Sequence, residues 1–234
     1  MYGKWCNDRC TRPGGTTITS ENEPPAAPRR GLAAKREAIT RAARVVFGRD
    51  GYPRASIDAI AKEAGVSTRT LYNHFGGKEE LFRSAILESA QRVSAAREAV
   101  IDEHLGEVTD LEAALIAWGR AWRNQMQDAP EHFALVRQIN AEAGHFPPEA
   151  LEAWQEAGPR RVRRYLADRL AALAEQGLLE IARPYQAANH LMLLVAGEVL
   201  STYPEAPTDD AEADEIVADG VHAFLHGYLP RPAP

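Results

Sequence analysis

Nine residues between positions 56 and 78 carry groups able to meet a nucleic acid: Ser56, Ser67, Thr68, Arg69, Thr70, Tyr72, Asn73, His74 and Lys78. Thr68 with Tyr72, and Arg69 with Asn73, are four residues apart, so they share one side of a helix. Hydroxyls, a guanidinium, an amide and a phenol on one short helix are the donors and acceptors that a major groove can receive. The groove admits a single helix, and its base edges display a readable donor and acceptor pattern. Leu71 and Phe75, also four apart, form the opposite, apolar side.

That helix needs a partner and a turn. Ile57, Ile60, Ala61 and Ala64 fall at i, i+3, i+4 and i+7, which predicts a helix with one apolar face. Ser56 stands where it can cap this helix, and Gly65 stands where a left-handed residue ends it at little cost. A helix, a glycine turn and a second helix with a polar outer face make a helix-turn-helix. Upstream, Ile39, Ala42, Ala43, Val46 and Phe47 predict a third amphipathic helix, stopped by Gly48 and Gly51 with Pro53 beyond. Downstream, Gly76-Gly77 breaks the chain and Lys78-Glu79-Glu80 opens a further helix. Glutamates suit a helix N-terminus, whereas Lys78 costs about 0.3–1 kcal/mol against the dipole. A phosphate arriving there would share the free N–H groups and the ammonium.

The run from about 36 to 81 resembles the N-terminal DNA-binding domain of the TetR family of bacterial transcriptional regulators. The matching residues are Ile39, Ala42, Phe47 and Gly51-Tyr52; Ser56-Ile57, Ile60-Ala61 and Ala64 to Ser67; then Leu71 to Phe75, Lys78 and Leu81. The resemblance implies that Thr68 and Arg69 face base edges, while Ser56, Thr70, Tyr72, His74 and Lys78 hold phosphates. Arg69 departs from the family, which often has a small residue such as glycine at that place. Two hydrogen bonds from arginine to guanine would give about 1–3 kcal/mol of discrimination; backbone grip is the other use.

The chain has 234 residues, 45% of them hydrophobic and 7% aromatic, enough to form a core. Its net charge of −6 hides an asymmetry. Residues 26–90 carry 12 lysines and arginines against 7 acidic residues; residues 91–234 carry 12 against 23. A cationic head on an acidic body confines phosphate attraction to the head. No apolar run approaches membrane-span length, and no apolar signal segment opens the chain, so a cytoplasmic protein without membrane contact is expected.

The expected organisation is all-α. Residues 1–28 form a disordered extension, 29–77 the helix-turn-helix DNA-binding domain, and 78–230 a larger helical ligand-binding and dimerisation domain. The first three helices are expected at about 32–49, 57–64 and 68–75, and a long fourth from 78 to near 104. The extension carries Cys6 and Cys10, which lack a histidine at ligand spacing. Arg29, Arg30, Lys35 and Arg36 open the basic region, where the resemblance allows contact with the DNA backbone or minor groove.

Trp118, Trp122, Met126, Phe133 and Trp154 fall on expected helices and Phe146 in an expected loop at 145–148, with Arg137, Gln138, Asn140, Arg120 and His104 as polar candidates. A set of this kind is either plain core or the wall of a pocket for an apolar or aromatic small molecule. The resemblance favours the pocket, because that family binds its effectors in this half. Arg160 to Arg164 is expected to form surface salt bridges. His222 and His226 are four apart without a carboxylate or third histidine in sequence, and are expected to pack or face water. Leu191, Leu194, Val195 and Val199, then Ile216, Val217, Val221, Phe224 and Leu225, predict two apolar C-terminal helices with Gly197 and Gly220 inside them. The resemblance makes these a four-helix seam of a homodimer.

No catalytic motif and no cofactor site is present. The expected function is DNA-binding transcriptional regulation, a repressor released from a palindromic operator by a small effector. An activator of the same kind remains open, as does an enzyme or carrier that uses the aromatic cavity.

Overall fold

The computed structural model describes residues 27–196 and 210–229, and among these every regular element is helical. The expectations for Cys6, Cys10, Gly197 and Val199 lie outside these residues. The order is α1 (Ala27–Arg54), α2 (Ile57–Glu63), α3 (Thr68–Phe75), α4 (Lys78–Leu105), α5 (Leu111–Asp128), α6 (Pro130–Glu142), a short 3₁₀ turn (Ala143–His145), α7 (Pro148–Ala157), α8 (Pro159–Glu175), α9 (Pro184–Ala196) and α10 (Asp210–Tyr228). Pro130, Pro148, Pro159 and Pro184 each open a helix, where a missing N–H costs nothing.

One helix stop differs from expectation. Gly51 takes φ 75° and breaks α1, with Pro53 in the short turn after it. Gly48 stays helical. A Cβ there would stand 3.2 Å from the Ala134 Cβ, so this glycine lets α6 approach α1.

Apolar packing forms two clusters. The first joins Ile39, Val46 and Phe47 of α1, Ile60 of α2 and Leu71 and Phe75 of α3 to Leu81, Phe82 and Ile86 of α4, and continues into α6 and α7 through Leu135, Ile139 and Trp154. At its centre Phe82 meets Phe47 edge-on at 5.1 Å and stacks on Phe146 at 4.7 Å. The second cluster takes the far end of α4, at Ile101 and Leu105, with α5, α8, α9 and α10. The 28 residues of α4 span about 42 Å and belong to both. Head and body therefore share a rigid strut, and the first core crosses the sequence boundary expected at 77/78.

On the surface, four of the five arginines of α8 pair with acids, and Arg163 reaches the Tyr185 hydroxyl. Arg160 reaches Glu152 and Glu156, Arg161 reaches Glu98, and Arg164 reaches Glu156. Exposed pairs of this type contribute about 0–1 kcal/mol each. No helix among the described residues is long and apolar enough to cross a membrane.

Candidate nucleic-acid interface

The α2–α3 unit is built by local rules. Ser56 caps α2, accepting from the Ala59 N–H at 3.1 Å. The turn closes on Gly65 at φ 65°. Ser67 caps α3 in the same way, accepting from the Thr70 N–H at 3.1 Å, with its hydroxyl 2.8 Å from that of Thr70. A serine cap is worth about 0.5–2 kcal/mol. Leu71 and Phe75 are buried against the first core. They fix the rotation of α3 and turn Thr68, Arg69, Tyr72 and Asn73 outward.

The outer face is open. Tyr72 is 50% exposed, Arg69 and Asn73 are exposed, and Thr68, Thr70 and His74 are half-buried. Arg69 has no ion-pair or hydrogen-bond partner among the described residues. Between the start of α1 and α3 lies a cleft of about 420 Å³, bordered by Leu32, Lys35, Thr70, Asn73 and His74. Two cations expected at this surface have structural partners. Arg36 lies 4.5 Å over the Phe75 ring and reaches Glu88 at 3.3 Å, tying α1 to α3 and α4. Lys78 folds back: its Nζ donates to the Pro53 carbonyl at 3.2 Å and sits 4.7 Å from the Tyr52 ring, and burial lowers its pKa.

In the body, the aromatic set divides. Trp118 and Trp122 pair at 5.2 Å inside the second core. Phe146 and Trp154 belong to the first core, under the head. Phe133 is half-buried on α6, and Arg137 and Asn140 are exposed there with Gln138 half-buried between them. His104 is half-buried at the end of α4. Arg120 pairs with Asp214 at 3.1 Å. The Met126 side chain lies outside the described residues. Sequence placed five of the six on helices and Phe146 in a loop, and could not say which core each one joins. A residue that sequence reading missed links Trp122 to Phe133: Arg97 of α4 is buried, with its guanidinium 3.5 Å from the Trp122 ring centre and 5.5 Å from that of Phe133. Burial lowers its pKa to about 10. Its position, three after Ser94 and four before Ile101, was the available signal. The Trp118 indole N–H is buried without a partner among the described residues.

At the C-terminus, His222 and His226 stand with their Nε2 atoms 2.9 Å apart, both exposed. The fold supplies the carboxylate that local sequence lacked, Glu112 of α5, 3.7 Å from His222 Nδ1. Glu112 meets Nδ1 while the histidines face each other through Nε2, and no group of three or more such side chains is placed to hold a metal ion among the described residues.

Residues 39–85 match the family model described as bacterial regulatory proteins, tetR family, and residues 113–230 match the AefR-like transcriptional repressor C-terminal domain. A TetR-family regulator from Mesorhizobium loti MAFF303099 has a solved structure 32% identical to this chain, covering 85% of it and 98% of the other, at a TM-score of 0.75.

The chain belongs to the TetR family.

It is therefore a DNA-binding transcriptional regulator, not an enzyme or carrier. Regulators of this family bind DNA and small effectors and dimerise. The flavonoid-responsive regulator FrrA is also similar, at 29% identity over 86% of this chain and all of that one, with a TM-score of 0.65. The HTH-type transcriptional regulator UidR of Escherichia coli K12 is 27% identical over 195 residues, 83% of this TetR-family chain and 92% of UidR.

Proposed function

We propose that this chain is a homodimeric repressor, with residues 29–77 as the DNA-binding head and 78–230 as the ligand-binding and dimerisation body. The observation that carries it is the open polar face of α3, with Arg69 unpaired at its first turn. Two such heads reach successive major grooves of a palindromic operator, about 34–36 Å apart. Thr68 and Arg69 meet base edges; Ser56, Ser67, Thr70, Tyr72, Asn73, His74 and Lys78 hold or flank phosphates. Footprinting on the DNA upstream of the chain's own gene is expected to give one salt-sensitive palindromic site. Arg69→Ala is expected to relax the preference at one position per half-site by roughly 5- to 150-fold, the equivalent of about 1–3 kcal/mol. A uniform loss across all sequences would assign Arg69 to the backbone instead.

The dimer forms through α9 and α10. Leu193 and Leu194 of α9 are 50% and 39% exposed, which leaves an apolar strip beside the α9–α10 contact. Leu194→Asp is expected to convert the dimer to monomer in sedimentation and to weaken operator binding with it. A dimer that survives the change would place the seam elsewhere.

The effector is small and largely apolar or aromatic. Support comes from Trp118, Trp122 and Phe133 around the buried Arg97, from the unpartnered Trp118 N–H, and from the flavonoid-responsive relative. Such a ligand shifts the population of head spacings through α4. Melts and operator binding across apolar compounds test this; a ligand that stabilises the protein and leaves operator affinity unchanged counts against it. An activator would share every one of these residues, since the sign of regulation depends on where the operator lies relative to the promoter.

A further inference from the structure

A second cleft, of about 310 Å³, opens where α1 meets α4 and α6. Arg41 and Arg44 enter it from α1, Arg92 from α4 and His132 from α6. Arg44 is only 4% exposed, and its Nε has no hydrogen-bond partner among the described residues. No carboxylate among the described residues lies within 4.0 Å of Arg41, Arg44, Arg92 or the nearby Arg97. Arg160, Arg161 and Arg164 of α8, by contrast, each find a glutamate. A buried guanidinium facing a cleft without a partner leaves an expensive polar group unpaired.

The same cleft holds Glu37, Asp128 and Glu131, so its formal charges balance. These acids do not close the account, because Glu37 and Asp128 are exposed and Glu131 half-exposed, while the arginine is inside. The group that lacks a partner at depth is a cation. An oxyanion with two acceptor oxygens fits the fork of a guanidinium, and two or three guanidiniums around one anion are the common way proteins hold carboxylate and phosphate. The volume suits a small ligand.

We infer that this junction between head and body is a binding site for a small oxyanion, an organic carboxylate or a phosphate, held by Arg44 and Arg92 with Arg41 at the mouth. Its lining does not include Arg97, Trp122 or Phe133 of the aromatic site. Its consequence for DNA binding rests on the regulator reading, because an anion there ties α1 of the head to α4 and α6 of the body. Its binding does not rest on that reading.

The test uses the full chain without DNA. Thermal melts are run at constant ionic strength in rising sodium benzoate and, separately, inorganic phosphate. Wild type is expected to gain several degrees with at least one probe in the millimolar range. Arg41→Gln/Arg92→Gln changes two exposed side chains, so folding is kept, and it is expected to need at least tenfold more probe. Arg164→Gln, an exposed arginine on α8, is expected to respond like wild type. A response to benzoate alone assigns an organic carboxylate, and a response to phosphate alone assigns phosphate. The inference is overturned if neither probe raises the melting temperature, or if the double variant responds like wild type.

Discussion

Gly220→Val is expected to cost about 3 kcal/mol of folding stability, the upper end of what overpacking a well-filled core costs. Gly220 sits on the buried face of α10, between Val217 and Val221. A Cβ there would collide with the Leu194 carbonyl oxygen and stand 2.8 Å from its carbonyl carbon and 3.3 Å from the Val195 nitrogen. The obstacle is the α9 backbone, which cannot swing aside as a side chain can. Valine would therefore drive α9 from α10 and strain the contacts of Leu191 and Val195 beneath it. For a chain of this size the melting temperature should fall by about 6–12 °C. Gly227, on the same helix, has no atom within 4 Å of its Cβ position. Gly227→Ala should therefore be neutral or gain up to about 1 kcal/mol from helix propensity. Equal behaviour of the two variants in melts would refute the close α9–α10 contact.

This glycine illustrates what sequence carries and what it does not. An apolar stripe interrupted by glycine announced a close helix contact. The stripe could not say whether the contact lay within one chain or across a dimer. The structure gives Gly220 its partner inside the chain, at Leu194, and leaves Leu193 and the edge of Leu194 outward. The α2–α3 unit was legible almost residue by residue, because every determinant is local: Ser56 and Ser67 cap, Gly65 turns, and Leu71 and Phe75 bury. Gly48 was misread as a stop because glycine ends helices often, and the reason it does not do so here, Ala134, lies 86 positions away. The same non-local limit explains the aromatic set. Phe146 in its loop and Trp154 on α7 were grouped with Trp118 and Trp122, yet they serve the core beneath the head. Glu112 beside His222, and Arg97 over Trp122, are likewise contacts between helices that no window of sequence contains.

His132 should make the protein sensitive to mild acid. Its ring lies buried between α6 and α4, with Nδ1 2.9 Å from the Ser89 hydroxyl. Burial holds its pKa down to about 4, and the positive charges of Arg97, Arg92 and Arg44 push the same way. The unfolded chain has an ordinary histidine near 6.5. Between these values the unfolded state binds the proton and the folded state does not, so acid favours unfolding. The contribution is fully present above about pH 6.5 and is lost as pH falls through 6 and 5 toward 4. A gap from 6.5 to about 4 corresponds to about 3 kcal/mol. His132→Gln keeps a hydrogen-bonding group opposite Ser89 and removes the titration. Carboxylates titrate in both proteins, so the difference between them isolates the histidine. Urea unfolding from pH 7.5 to 4.5 should show wild type losing about 2 kcal/mol more than the variant over that interval. Parallel stability profiles would show that His132 accepts its proton in the folded state. In that case the ring would have to be more open to water than its 8% exposure allows.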